Sequence, residues 1–166
     1  YEELPIVLDP EEALENNVKI HEDGNLISEI NLESGNVEEA IENADVTIER
    51  EYETQAQKHC YMSPNACLAR TDDRGKLIIN TESQTVYSTR HILSRIFDIP
   101  LKDIRVRARE IGGAFGGKGE VIPEHYAALV TLETGRPALV SFDREETFFF
   151  SRKRHPGKLK IKIGSD

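Results

Sequence analysis

No apolar run in this sequence approaches the roughly 20 residues that a helix needs to cross a bilayer. No charged-then-apolar leader of the secretory kind stands at its start either, so the expectation is a cytoplasmic chain with no membrane partner. Cysteine is scarce. Cys60 and Cys67 show no C-x-x-C spacing, which excludes a dense disulfide framework and leaves too few thiolates to hold an iron–sulfur cluster; both are expected to be reduced packing residues. An initiating methionine is missing as well: the chain opens "YEELPIVLDPEEAL" at Tyr1, and the expectation is a piece cut from a longer protein. Basic residues are almost absent from the first third. Residues 1–56 hold 17 acidic side chains against Lys19 and Arg50, whereas the remaining residues hold 13 acidic against 19 basic. The acidic third reads as a solvated layer, and a formal net charge of −9 argues against nucleic acid as a partner.

What is present suffices for a folded domain. With 166 residues, 38% hydrophobic and 31% charged, the chain is long and apolar enough to bury one core. The first third is poor in apolar residues and reads as an extended connector with two short helical pieces, "DPEEALEN", with Pro10 at its start, and "NVEEAIENA". From "DVTIEREYET" the pattern turns strand-like, with Val46, Ile48 and Tyr52 of one parity. "ACLARTDDRGKLIIN" predicts a hairpin around "TDDRG". Residues 83–98 predict a helix with Val86, Leu93 and Phe97 on one face, Ser83 as N-cap and Pro100 beyond its end. "DIRVRARE" alternates Ile104, Val106 and Ala108 with Arg105, Arg107 and Arg109, a strand with one apolar and one basic face. "PEHYAALVTLETG" predicts a second helix, "RPALVSF" a strand, and "KLKIKIG" a last strand alternating Leu159, Ile161 and Ile163. Strands and helices mix without a strict βαβ rhythm. The class is therefore α+β, a mixed β-sheet with two main helices packed on it.

The stretch "IGGAFGGKGE", Ile111 to Glu120, lies between that basic strand and the second helix. Gly112 to Lys118 satisfies the spacing of a phosphate-binding loop, yet Gly119 stands where that loop needs a hydroxyl for magnesium, and no second nucleotide motif follows. Glycine pairs also serve close chain packing or positive φ. A third possibility is a ligand that must approach main-chain N–H groups closely, where a Cβ would stand in the way.

"GGAFGGKGE" resembles the GGGFGGKE segment of the molybdenum hydroxylases, the xanthine dehydrogenase and aldehyde oxidase family. The likeness continues through "QKHCYMSPNACLAR", "ESQTVYSTRHILSRIFDIPLKDIRVRAREIGGAFGGK" and "ALVTLETGRPALVSFDREETFFFSRKRHP". It covers residues 50–165, and the opening residues are similar to the linker that leaves the family's hammerhead domain. The resemblance implies an acidic linker over 1–45 and a first molybdopterin-binding domain over 46–166, without the C-terminal molybdenum domain that carries the general-base glutamate. No catalytic residue is thus expected here, and the chain alone should not turn over.

For the site, the resemblance implies that the main chain of Gly113, Ala114, Phe115, Gly116 and Gly117 approaches the molybdopterin. Gln84 would donate its amide to an oxo ligand of the molybdenum, a neutral donor suited to that acceptor. Phe115 would border the metal site and also plug the loop into the core. Where purine-hydroxylating relatives have a substrate-binding glutamate directly after the lysine, this sequence has Gly119, and Glu120 one step later is the substrate-binding candidate. Ser63 stands where relatives often have glutamate before proline; His59 and Ser63 are given no catalytic role. The arginines on the strand fit an exposed sheet face, and "SRKRHP" a structural turn.

The implied function is cofactor binding for hydroxylation of a purine-like heterocycle or an aldehyde, with oxygen from water. The implied partners are the rest of the molybdenum subunit and domains or subunits carrying 2Fe-2S clusters and FAD. The other class open to these residues is a non-catalytic scaffold module whose glycine loop only packs. Mg-ATP is expected not to bind: isothermal calorimetry should show no heat at micromolar nucleotide, and micromolar affinity would restore the phosphate-loop reading.

Overall fold

The computed structural model describes residues 1–15 and 17–166; Asn16, the last residue of the helix expected over 9–16, lies outside the described residues. In chain order the elements are α1 (Pro10–Leu14), α2 (Val37–Asn43), β1 (Val46–Thr54), β2 (Ala66–Thr71), β3 (Leu77–Thr81), α3 (Val86–Phe97), β4 (Ile104–Ala108), α4 (Pro123–Thr134), β5 (Ala138–Ser141), α5 (Arg144–Phe150) and β6 (Gly157–Ser165). They divide into two units, residues 1–49 with 162–166, and residues 50–161.

The first unit holds the two short helices that the sequence predicts. Asp9 caps α1 by accepting from the N–H groups of Glu11 and Glu12, and Asn36 caps α2 by accepting from Glu39. Neither helix buries a residue, as their acidic composition requires. β1 pairs with β6 in a two-stranded ribbon. The alternation of Val46, Ile48 and Tyr52, and of Leu159, Ile161 and Ile163, is present, but these side chains are exposed.

The second unit is built on a four-stranded sheet in the order β4-β3-β2-β5. β2 and β3 form the expected hairpin, with Thr71 opposite Leu77. Asp72 shapes its turn: the carboxylate accepts from the N–H groups of Arg74 and Lys76, each at 2.9 Å, and the bond from Lys76 is the main reason its pKa lies below the usual carboxylate value. β5 pairs antiparallel with β2, and β4 runs parallel to β3 after the crossover through α3. The register sets Ala69, Ile79 and Val106 in one row and Ala138 beside Ala69. That face packs with Leu93 of α3 and Ala127 and Ala128 of α4 into one core with Cys67, Leu77 and Ile104. The paired alanines of α4 remove bulk where the helix lies on β2 and β5. The opposite face carries Arg70, Ile78, Asn80, Arg105 and Arg107, so the two faces of β4 differ as its alternation predicts.

Three details depart from expectation. Ser83 does not cap α3. Its hydroxyl accepts from Thr85 N–H at 3.1 Å and bonds the buried Thr89 hydroxyl at 3.0 Å, and the helix begins only at Val86 with Thr85 as N-cap. Residues 82–85 therefore remain an irregular connection. Helix α5 was not expected, although "DREE" carries its signal: Asp143 and Glu146 form a reciprocal capping box. Finally, only one cysteine packs. Cys67 is 1% exposed, and burial, with Glu124 adding to it, pushes its thiol far above the ordinary range. Cys60 is exposed at a φ of 48°. Near pH 8 an aromatic disulfide reagent should label Cys60 in the folded chain and Cys67 only on unfolding; equal rates for both would contradict this packing.

Candidate functional site

Beyond β4 the chain turns back on itself through residues 112–118 before entering α4. Gly113, Phe115 and Gly116 take φ values of 91°, 51° and 90°. Glycine adopts these freely, whereas at Phe115 the left-handed backbone is strained and must be held by its surroundings. The expected plug is not formed by Phe115, which is 74% exposed; the buried member of the turn is Ala114, at 5%. A positive φ at 115 directs the aromatic ring outward over Gly113, where an added Cβ would lie 3.3 Å from the ring.

Two glycines exist for the protein's own packing. A Cβ on Gly112 would sit 2.8 Å from Ser63, and one on Gly117 would sit 2.6 Å from the Tyr61 ring and 3.0 Å from His59 Nδ1. The segment 59–63 thus forms the floor beneath the turn. Arg144 of α5 fixes that floor, donating to the carbonyls of Tyr61, at 2.8 Å, and Met62. The Tyr61 hydroxyl donates to Asn65 Oδ1 at 2.6 Å.

Gln84, on the irregular connection into α3, clamps the other side. Its Oε1 accepts from Gly116 N–H at 3.1 Å and Lys118 N–H at 3.4 Å, and its own main-chain N–H donates to the Lys118 carbonyl at 2.9 Å. The carboxamide is thereby oriented, and its Nε2 has no acceptor among the described residues. Lys118 is buried. Its ammonium pairs with Glu82, donates to Ser63 Oγ at 2.7 Å and lies 4.7 Å from the Tyr61 ring centre. A phosphate-loop role would need this lysine free, and it is enclosed.

Several donors and acceptors are left over. The N–H of Gly117 closes the turn on the Ala114 carbonyl at 2.7 Å, but the N–H groups of Gly113, Ala114 and Phe115 meet no acceptor among the described residues. Buried main-chain donors are nearly always matched, and Ala114, 5% exposed, carries an N–H without an acceptor among the described residues, which leaves it open to one from outside the chain. His59 Nδ1, beneath the same turn, is also buried without a partner among the described residues. These groups fit an oxygen-rich ligand laid against the turn, with Gln84 Nε2 as a neutral side-chain donor beside it.

Glu120 stands at the exit of the turn, where Arg152 donates to its Oε1 at 2.7–2.9 Å; its side chain is 40% exposed. The "SRKRHP" turn thus orients this carboxylate, and Arg154 bridges main chain to main chain with Gln57. Arg105 and Arg107 lie on the far sheet face rather than with the turn. Sequence reasoning missed Glu82, Lys118 and Tyr61 as the turn's anchors; the signal available was a lysine inside a glycine-rich stretch, which needs a carboxylate wherever it is buried.

The family model described as "Molybdopterin cofactor-binding domain" matches residues 20–166. The chain is 40% identical over its full length to a probable xanthine dehydrogenase subunit of Bacillus subtilis (strain 168), and covers 22% of that protein. It is 36% identical over 99% of its length to the xanthine dehydrogenase molybdenum-binding subunit of Escherichia coli O157:H7, again covering 22%. Among solved structures, quinoline 2-oxidoreductase from Pseudomonas putida 86 superposes over the whole chain with a TM-score of 0.84 at 25% identity, with 22% of that chain covered. The aldehyde oxidoreductase of Desulfovibrio desulfuricans ATCC 27774 shares the fold at a TM-score of 0.86 over 99% of this chain and 19% of its own, at 22% identity. The chain therefore spans about a fifth of the length of each of these four relatives.

The packing beneath the turn is open to a direct test. Gly117→Ala should destabilise the protein by about 1–3 kcal/mol in chemical denaturation, because Tyr61 or His59 must move. Gly119→Ala, whose Cβ would meet nothing closer than 3.6 Å, should stay within about 0.5 kcal/mol of the parent.

Proposed function

Because the chain belongs to the molybdopterin cofactor-binding domain family, we propose that it holds the molybdenum cofactor in a hydroxylase of the xanthine dehydrogenase and aldehyde oxidase kind. The observation that carries this reading is the row of unmatched main-chain donors at Gly113, Ala114 and Phe115. When bound, the cofactor supplies hydroxylation of an electron-poor carbon, with water as the oxygen source.

The roles of this chain's residues follow from their bonds. Gly113, Ala114 and Phe115 offer main-chain N–H groups to the cofactor's oxygen atoms, fixed in advance by the turn, so little is reorganised when charge develops there. Gly116 and Gly117 line the same surface, with their own N–H groups engaged in shaping it. Gln84 adds one neutral donor, held in place because its Oε1 is already occupied by the turn. The exposed ring of Phe115 borders the site. Glu120, oriented by Arg152, is the substrate-side acceptor, which suits a heterocycle N–H of the purine kind; an aldehyde would make less use of it.

In this reading residues 1–45 are an acidic linker from a hammerhead domain and residues 46–166 the first molybdopterin-binding domain. The general base lies in the C-terminal molybdenum domain of the same subunit, so this chain alone is inactive. Electrons leave to 2Fe-2S and FAD carriers on partner domains or subunits. A cytoplasmic setting accords with the two free thiols.

Gln84→Glu in the full-length enzyme separates donor from clamp, since it keeps the Oε1 acceptor for Gly116 and Lys118 and removes the Nε2 amide. Molybdenum content should stay near the parent's while turnover falls by about 10²–10³ fold. Turnover within about twofold, in the range of an inert surface change, would rule out Gln84 as a donor to the cofactor.

A further inference from the structure

The turn is closed at its base by a charge that water does not reach. The side chain of Lys118 is 2% exposed, and its ammonium meets the Glu82 carboxylate, the Ser63 hydroxyl and the face of Tyr61. Ser63 in turn donates to the same Glu82 oxygen at 2.8 Å. A buried ammonium that loses its only carboxylate becomes an uncompensated charge, which destabilises its surroundings far more than the loss of a neutral hydrogen bond.

The same residues tie together the segments that build the site. Ser63 N–H donates to the Gly112 carbonyl at 3.1 Å, at the start of the turn, while its hydroxyl receives Lys118 at the end. Glu82 lies two positions before Gln84, whose N–H and Oε1 hold Lys118 and Gly116. Opening the ion pair would therefore release the turn from its floor and from Gln84 together.

We propose that Glu82 is a positioning residue: through Lys118 and Ser63 it latches residues 112–118 against Gln84, so that the donors of Gly113, Ala114 and Phe115 and the Gln84 amide form one preset surface. Glu82 itself offers nothing to the ligand. This rests on the cofactor reading above for its purpose, but the latch is a property of the protein alone and can be observed without cofactor.

The test uses the full-length protein, prepared with and without cofactor, and two variants. Glu82→Gln keeps size and an acceptor oxygen but removes the charge. The exchange variant Ser63→Glu/Glu82→Ser moves the carboxylate across a 2.8 Å hydrogen bond, within reach of the same ammonium. In cofactor-free Glu82→Gln, hydrogen exchange at the bonded amides of Gly116, Gly117 and Lys118 should quicken by at least about tenfold while β2 and β3 stay within about twofold, and the exchange variant should recover slow exchange. Molybdenum bound per subunit should fall in Glu82→Gln and recover in the exchange variant.

A folded Glu82→Gln with unchanged exchange at Gly116, Gly117 and Lys118 would overturn the latch. Acceleration spread equally over β2 and β3 would also overturn it, since Glu82 would then only stabilise the core. If Glu82→Gln does not fold, the exchange variant decides: a folded protein with a protected turn supports the proposal, and an open turn or an unfolded chain ends it. A turn that opens in Glu82→Gln while molybdenum content and turnover hold at the parent level would support the latch and remove the cofactor reading instead.

Discussion

An ammonium taken out of water must find an anion nearby, and the way Lys118 meets that demand organises much of this molecule. Its carboxylate comes from Glu82, on the connection between β3 and α3, and its second acceptor from Ser63, on the approach to β2. Both segments hang from the central hairpin, which is rigid because Cys67, Ala69, Leu77 and Ile79 are fully buried beneath α3 and α4. The sheet core therefore acts on the glycine turn at a distance. The parallel placement of β4 beside β3 delivers the turn to the strand end where Glu82 and Gln84 emerge.

Within the turn, glycine serves different needs at different positions. Gly112 and Gly117 are required because Ser63 and Tyr61 occupy the space of a Cβ, whereas Gly113 and Gly116 are required by their backbone angles. With the close approach of main chain to main chain beneath the turn, the N–H groups of residues 113–115 meet no acceptor among the described residues. The packing beneath the turn and the donors left over above it are thus two sides of one arrangement. The tight inner face consumes the donors of Gly116, Gly117 and Lys118, and the outer face keeps the remainder.

The hairpin, the four strands of the sheet and the two main helices were legible because each rests on local signals: Asp72 and Gly75 in the turn, alternation in β4, Pro123 and Gly135 at the ends of α4. The start of α3 was not. Ser83 is a good cap by residue type, but Thr89, one turn into the helix and buried, takes its hydroxyl, and only the packed core determines that. Phe115 was misjudged as a plug for a similar reason. Large apolar residues are usually inside, and the left-handed backbone that turns this one out is not visible in composition. The glycine stretch and Gln84 are singled out in the sequence by resemblance alone, whereas nothing there points to the partner of Lys118, because Glu82 lies 36 positions away.

Such a site sets local stability against readiness. A left-handed phenylalanine, an unpartnered His59 nitrogen and main-chain donors without an acceptor among the described residues all disfavour the folded turn. The cost can be tolerated because it is confined to one turn standing on a well-packed sheet. A looser turn would satisfy its own donors by folding them inward, and a ligand would then have to break those bonds before making new ones. Holding the donors unsatisfied shifts that reorganisation from the binding event to the folding of the protein, where the hydrophobic core of the hairpin and two helices offsets it. The strain at Phe115 and the charge at Lys118 are then the two ends of one compromise: the first is a cost of the turn's shape, and the pairing of the second with Glu82 keeps that shape from relaxing.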